Sequence, residues 1–198
     1  MTLYFKNIKI NISVYFAAII TFALIFVPNG GAPAALLCCI LHEIGHLCAI
    51  FISGGTVSGI FLGAYGMRID SRQSFKITPA KEFFISLAGP FVNFILIIFG
   101  VIIKSETLIK TNVCLCVFNL LPTGKTDGFT ALQNAAELFS DREKANAALK
   151  IISTAFLILV YVFGILILIK TKYNFSLLAV AVYMTLINTT GSLKGESI

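Results

Sequence analysis

The sequence predicts an all-α polytopic membrane protein, with about six transmembrane helices and a small β-hairpin or re-entrant segment after the second. Composition is the first ground. Of 198 residues, 58% are hydrophobic and only 12% charged, and the mean hydropathy is +0.93. Soluble globular chains do not look like this. The second ground is a series of apolar runs between short polar breaks, several near the ~20 residues that cross a bilayer. The third is an uneven spread of basic residues among the loops between those runs.

Taken in order, the first run covers residues 12–27, after Lys6 and Lys9, and stops at Pro28-Asn29-Gly30-Gly31. A basic start and an apolar middle also resemble a signal peptide, but the run is long for one, and a retained helix is expected. The second run, 32–52, carries His42-Glu43-Ile44-Gly45-His46 near its middle and ends at Ser53-Gly54-Gly55. Residues 56–70 are dense in glycine and in β-branched and aromatic side chains, which argues for short strands or a re-entrant hairpin rather than a spanning helix. A third run, 83–103, follows Lys81-Glu82 and is long enough to span. The fourth, 108–121, is short and breaks at Pro122. Residues 123–150 are polar, with an amphipathic stretch near 130–139; the fifth and sixth runs are 151–169 and 175–187.

Basic residues orient these runs. With the N-terminus inside, only Lys104, Lys110, Lys170 and Lys172 of the 15 Lys and Arg face outward. That imbalance puts both termini in the cytoplasm, together with the glycine-rich segment and the loop after Pro122. The same loop bias explains the net charge of +6. No basic stripe interleaved with aromatics occurs, so a nucleic-acid partner is not expected. Tryptophan is absent, leaving interface anchoring to six tyrosines and the basic residues. The five cysteines lie in apolar runs, in odd number and without a CxxC pair, so they read as small buried hydrophobes. Cys38 and Cys39 precede His42 by four and three residues and can share its helix face.

His42 and His46 are the only histidines in the chain. Four residues apart on a helix, they share one face and can grip one metal ion, while a glutamate beside the first can act as base on metal-bound water. This is the zinc-hydrolase pattern placed in an apolar run. An ionisable residue at mid-bilayer costs about 2.5–3.5 kcal/mol on insertion scales, so three clustered there call for a specific function. One Zn2+ would take neutral imidazole from both histidines, with Glu43 as general base toward a peptide carbonyl. Gly45 lets another backbone or the substrate come close. A third protein ligand is needed, and local sequence leaves two candidates. Asp127 follows the fourth run, where Pro122 and Gly124 break the helix; Glu137 lies on the amphipathic stretch beside Arg142 and Lys144. Asp127 also reads as an ordinary Asp-Gly turn residue, and Glu137 as a solvated acid.

Three motifs in order, HEIGH at 42–46, Gly89-Pro90-Phe91-Val92-Asn93, and Asn119-x-x-Pro122-x4-Asp127-Gly128, resemble the site-2 protease family. Within it the chain is similar to the short six-span stage IV sporulation protein FB group of spore-forming bacteria. The resemblance covers residues 34–135 and implies a single intramembrane metalloprotease domain over 1–198, without CBS or PDZ modules. It implies His42, His46 and Asp127 as zinc ligands and Glu43 as the catalytic glutamate of a zinc metalloendopeptidase. Asn119 would hold substrate or stabilise the oxyanion. Asn93 would be a second substrate or oxyanion residue, and would bond backbone freed by Pro90 or make a helix-packing hydrogen bond. Many relatives carry a second glycine where this chain has Phe129. The resemblance also implies a multi-pass protein of the bacterial cell membrane, in regulated intramembrane proteolysis. Its substrate would be a membrane-associated protein of pro-sigma or anti-sigma type, the sporulation likeness favouring the former. Membrane inhibitor proteins are a further candidate partner class. The exposed edge of the strands at 56–70 is a candidate for holding unwound substrate. A membrane haem or metal carrier is the rival reading, and it would have no use for Glu43.

Overall fold

The computed structural model describes residues 2–5, 8–14, 16–18, 20–21, 31–63, 66–72, 78–124 and 126–192. The chain forms two compact units, Met1–Phe118 and Asn119–Ile198.

The first unit joins a small sheet to a helical layer. Strands β1 (Thr2–Phe5), β2 (Ile8–Ile12), β3 (Thr56–Gly63) and β4 (Gly66–Arg72) pair in that order. The β1–β2 and β3–β4 pairs are antiparallel, while β2 and β3 run parallel, with Ile10 opposite Ile60. Parallel neighbours need a long crossover, and helix α1 (Gly31–Ile52) lies within it. The glycine-rich segment is thus two strands of a four-stranded sheet, and its register slips between Val57 and Gly59. The all-α expectation is corrected by the N-terminal pair. Ile8, Ile10 and Ile12 alternate with Lys9 and Asn11, a strand period masked by reading the lysines as a helix flank. Of the predicted first run, residues 14, 16–18 and 20–21 are helical and the remainder lies largely outside the described residues.

Helix α1 ends in a Schellman motif. Gly55 N–H reaches the Ile50 carbonyl at 2.9 Å and Gly54 N–H that of Phe51 at 3.0 Å, with Gly54 at φ +83°. Glycine adopts that left-handed angle without penalty. Lys81 Nζ donates to Ser53 O at 3.1 Å, placing a cation on the exposed carbonyl end of α1. Helix α2 (Pro79–Ile102) begins four residues before the predicted run because Thr78 caps it, its hydroxyl accepting from Lys81 N, and Pro79 suits the first turn. Helix α3 (Glu106–Leu120) returns along α2. A Cβ on Gly100 would stand 2.9 Å from Ile109, so glycine sets how closely the two approach.

The second unit begins in the last turn of α3 and contains α4 (Asp127–Glu137), α5 (Arg142–Thr171) and α6 (Ser176–Ser192). The α5–α6 contact forms at Gly164, where a Cβ would lie 2.8 Å from Leu178, and at Tyr161, whose hydroxyl meets Thr185 Oγ1 at 3.1 Å.

Among the described residues three helices, α1, α2 and α5, are long and apolar enough to cross a membrane. They match three of the six expected runs, while the first expected run lies largely outside the described residues. At 1.5 Å per residue the 15 residues of α3 reach about 22 Å, short of a hydrocarbon core of about 30 Å. The apolar part of α6, Ser176–Leu186, is shorter again.

Candidate metal centre

The site starts from the spacing of two histidines on one helix. His42 and His46 are both buried on α1, on the face that meets α2. The two helices approach closely because Gly45 is a glycine: a Cβ there would lie 2.8 Å from the Ala88 carbonyl oxygen and 2.7 Å from Val92. The expectation that Gly45 admits another backbone therefore finds its partner in α2.

Each imidazole is held from behind. His42 Nδ1 lies 2.6 Å from Asn93 Oδ1, and His46 Nδ1 lies 2.8 Å from the Ile85 carbonyl oxygen. Both oxygens only accept, so each Nδ1 carries a proton, and in the neutral rings each Nε2 presents a lone pair. The two Nε2 atoms face one another at 3.2 Å. Two lone pairs so close in a buried setting repel unless a cation lies with them. Tetrahedral zinc with Zn–N distances of about 2.0–2.1 Å separates two nitrogen ligands by about 3.3–3.4 Å. The imidazole pair fits such an ion.

Gly89 completes this face. A Cβ on it would collide with Nε2 of both histidines, so any other residue would fill the space in front of the nitrogens. The GPxxN pattern holds Gly89, but sequence alone gives it no role there. The other signal is spacing, since residues 85, 89 and 93 fall on one helical face opposite 42 and 46. Of the two bonds expected of Asn93, the structure shows the one between helices. Its oxygen accepts from an imidazole rather than meeting backbone freed by Pro90. The reason is register, for α2 carries residue 93 past the His42 ring.

Glu43 is half-buried beside His42. Cys38, one turn earlier on α1, is taken up structurally: Asn112 Nδ2 on α3 donates to its Sγ at 3.2 Å and to Leu108 O at 2.8 Å. All five cysteines are free thiols.

In the second unit Asn119 is half-buried in the last turn of α3, and Asp127 opens α4. Thr126 caps that helix, its Oγ1 accepting from Phe129 N at 3.3 Å and donating to the Leu121 carbonyl. Phe129 therefore completes the helix entry where relatives were expected to carry glycine. Gly128 is wedged against the backbone of Leu120, and a Cβ would overlap its carbonyl. The Asp-Gly pair is a helix start under steric constraint rather than an open turn. Glu137 is occupied: Arg142 Nε stands 3.3 Å from its Oε1, and Gln133 Nε2 donates to the same oxygen at 3.3 Å. In the first unit the donors that could hold a metal ion are His42 and His46, both buried; in the second unit Asp127 is half-buried.

Comparison with protein-family models and with curated proteins finds no match. Among solved structures, the chain is similar to the site-2 protease from Methanocaldococcus jannaschii. The identity is 21% and the TM-score 0.69, over 100% of this chain and 96% of that one. At that identity the likeness establishes a shared fold.

Proposed function

We propose that this chain is an intramembrane zinc metalloprotease, hydrolysing peptide bonds in or near membrane segments of a regulatory protein. The observation that carries the reading is the pair of Nε2 atoms 3.2 Å apart, each ring fixed by an oxygen at Nδ1, on a helix apolar and long enough to span a bilayer. The fold shared with a site-2 protease supports it. One zinc ion would be held by His42, His46 and Asp127, a donor set of the kind zinc takes at catalytic sites. When bound, zinc supplies Lewis acidity, polarising a carbonyl and lowering the pKa of water.

The remaining work falls to side chains. Glu43 takes the proton of the attacking water and delivers it to the departing amine. Asn119, near the start of the second unit, offers an amide N–H to the developing oxyanion. A substrate helix hides its carbonyls in i→i−4 bonds and must unwind before cleavage. Strand β3 is flanked by β2 and β4, so the outer edge of β4 is the part of the hairpin left to accept an unwound strand. The chain sits as a multi-pass protein of a bacterial membrane with both termini cytoplasmic, as the basic-residue bias suggests. Its substrate is a membrane-associated pro-sigma factor in sporulation, with an anti-sigma factor as the second class and membrane inhibitor proteins as regulators.

The test is co-expression with a membrane-associated sigma-factor precursor. Wild type is expected to process it and Glu43→Gln is not; equal processing by both would refute the mechanism. Asp127→Ala is expected to release zinc while Glu137→Ala retains it, and the reverse would overturn the ligand assignment.

A further inference from the structure

We infer that Asn93 is a positioning residue for the metal: its carboxamide oxygen fixes the tautomer and aim of His42, making that ligand adjustable in a way that His46 is not. The inference rests on the metalloprotease reading and deepens it. Ile85, Gly89 and Asn93 stand at i, i+4 and i+8, one face of α2, opposite His42 and His46 at i and i+4 on α1. Along that face α2 supplies an oxygen to each imidazole and, between them at Gly89, the clearance in front of both Nε2 atoms. The two oxygens differ in kind. His46 leans on a main-chain carbonyl, which no side-chain substitution removes; His42 leans on a side chain, which one substitution abolishes.

Burial points the same way. Asn93 is 0% exposed, and its Nδ2 has no hydrogen-bond partner among the described residues. A fully buried amide with half its hydrogen-bonding capacity idle is a poor choice for packing, where an apolar residue of similar volume would serve better. Its presence is explained by the bond its other half makes to His42. Partners of this kind orient a ligating histidine and raise its basicity, and losing one weakens metal binding by about 10–100-fold.

Zinc affinity in detergent-purified full-length protein, read by competition with a chelator and independently of proteolysis, tests this. Asn93→Leu is expected to weaken zinc by about 10–100-fold. Asn93→Asp keeps the acceptor oxygen, and is expected to bind zinc within about threefold of wild type or more tightly. A packing role predicts the opposite order, because a buried carboxylate disrupts an apolar contact more than leucine does. Zinc bound by the leucine variant within about threefold of wild type, or lost from the aspartate variant as fully as from the leucine one, would overturn the inference. Should the leucine variant fail to fold, the aspartate variant decides alone. His42→Ala separates the two levels: wild-type zinc affinity in that variant would sink the metal site itself, whereas loss there with no effect of Asn93→Leu would sink only the role of Asn93.

Discussion

Helices α1 and α5 are both long and apolar enough to cross a membrane, yet they treat polar side chains in opposite ways. Over its apolar stretch α5 carries no ionisable group beyond a tyrosine, and two of its hydroxyls are satisfied close at hand: Thr154 by the Lys150 carbonyl one turn back, Tyr161 by Thr185 on α6. Helix α1 places two imidazoles and a carboxylate at the same depth in its sequence, and both imidazoles depend on α2 for their oxygen partners. The difference teaches how to read a polar atom in an apolar helix. One that bonds its own backbone is silent. The imidazoles of α1 take their acceptors from α2 and turn their Nε2 atoms toward one another at 3.2 Å, a spacing that suits a shared cation.

The largest expected effect breaks the chemistry of α1 while leaving its architecture. Glu43→Gln should lower the rate of substrate cleavage by about 10²–10⁴-fold, the range for removing a general base, while zinc content stays at the wild-type level. Zinc loss in parallel would mean that Glu43 acts as a ligand. The converse substitution burdens α5 with a charge it has no partner for. Ile158→Asp, at a position 59% exposed, should raise the insertion free energy of that helix by about 2.5–3.5 kcal/mol. A membrane-insertion assay on the isolated segment measures it, and a negligible shift would show that α5 does not face lipid there.

A smaller effect sharpens the role of α2. Gly89→Ala should reduce zinc affinity at least about tenfold, because the methyl group enters the space before both Nε2 atoms, with an overpacking cost of about 1–3 kcal/mol to the helix pair. Smallest of all, Leu159→Ala on the outward side of α5, 51% exposed, should change stability by no more than about 0.5 kcal/mol, as for other surface substitutions. Chemical or thermal unfolding in detergent checks both.

How much of this was legible beforehand follows the same division. The helices α1, α2 and α5 are readable because long apolar runs have a single physical outcome. The imidazole pair is readable because a four-residue spacing on a helix fixes a shared face. The N-terminal strands were hidden by their length: five residues, Ile8–Ile12, with alternation that competes against a basic-flank reading of Lys6 and Lys9. Asn93 and Gly89 were visible as members of a motif, but their tasks depend on the register between α1 and α2, which neither helix encodes alone. Glu137 lies five residues before Arg142, and the structure pairs the two at 3.3 Å, as an acid near basic residues would. The constraint on Gly128 likewise needs the fold, since nothing in an Asp-Gly pair announces that the Leu120 carbonyl lies against it.

The most direct measurement is the metal content of detergent-purified protein together with its proteolytic activity, before and after removal of metal by a chelator. The account predicts one zinc per chain, cleavage lost with the metal and restored by adding zinc back, and no zinc in a His42→Ala, His46→Ala double variant. Undiminished cleavage by metal-free protein would contradict it.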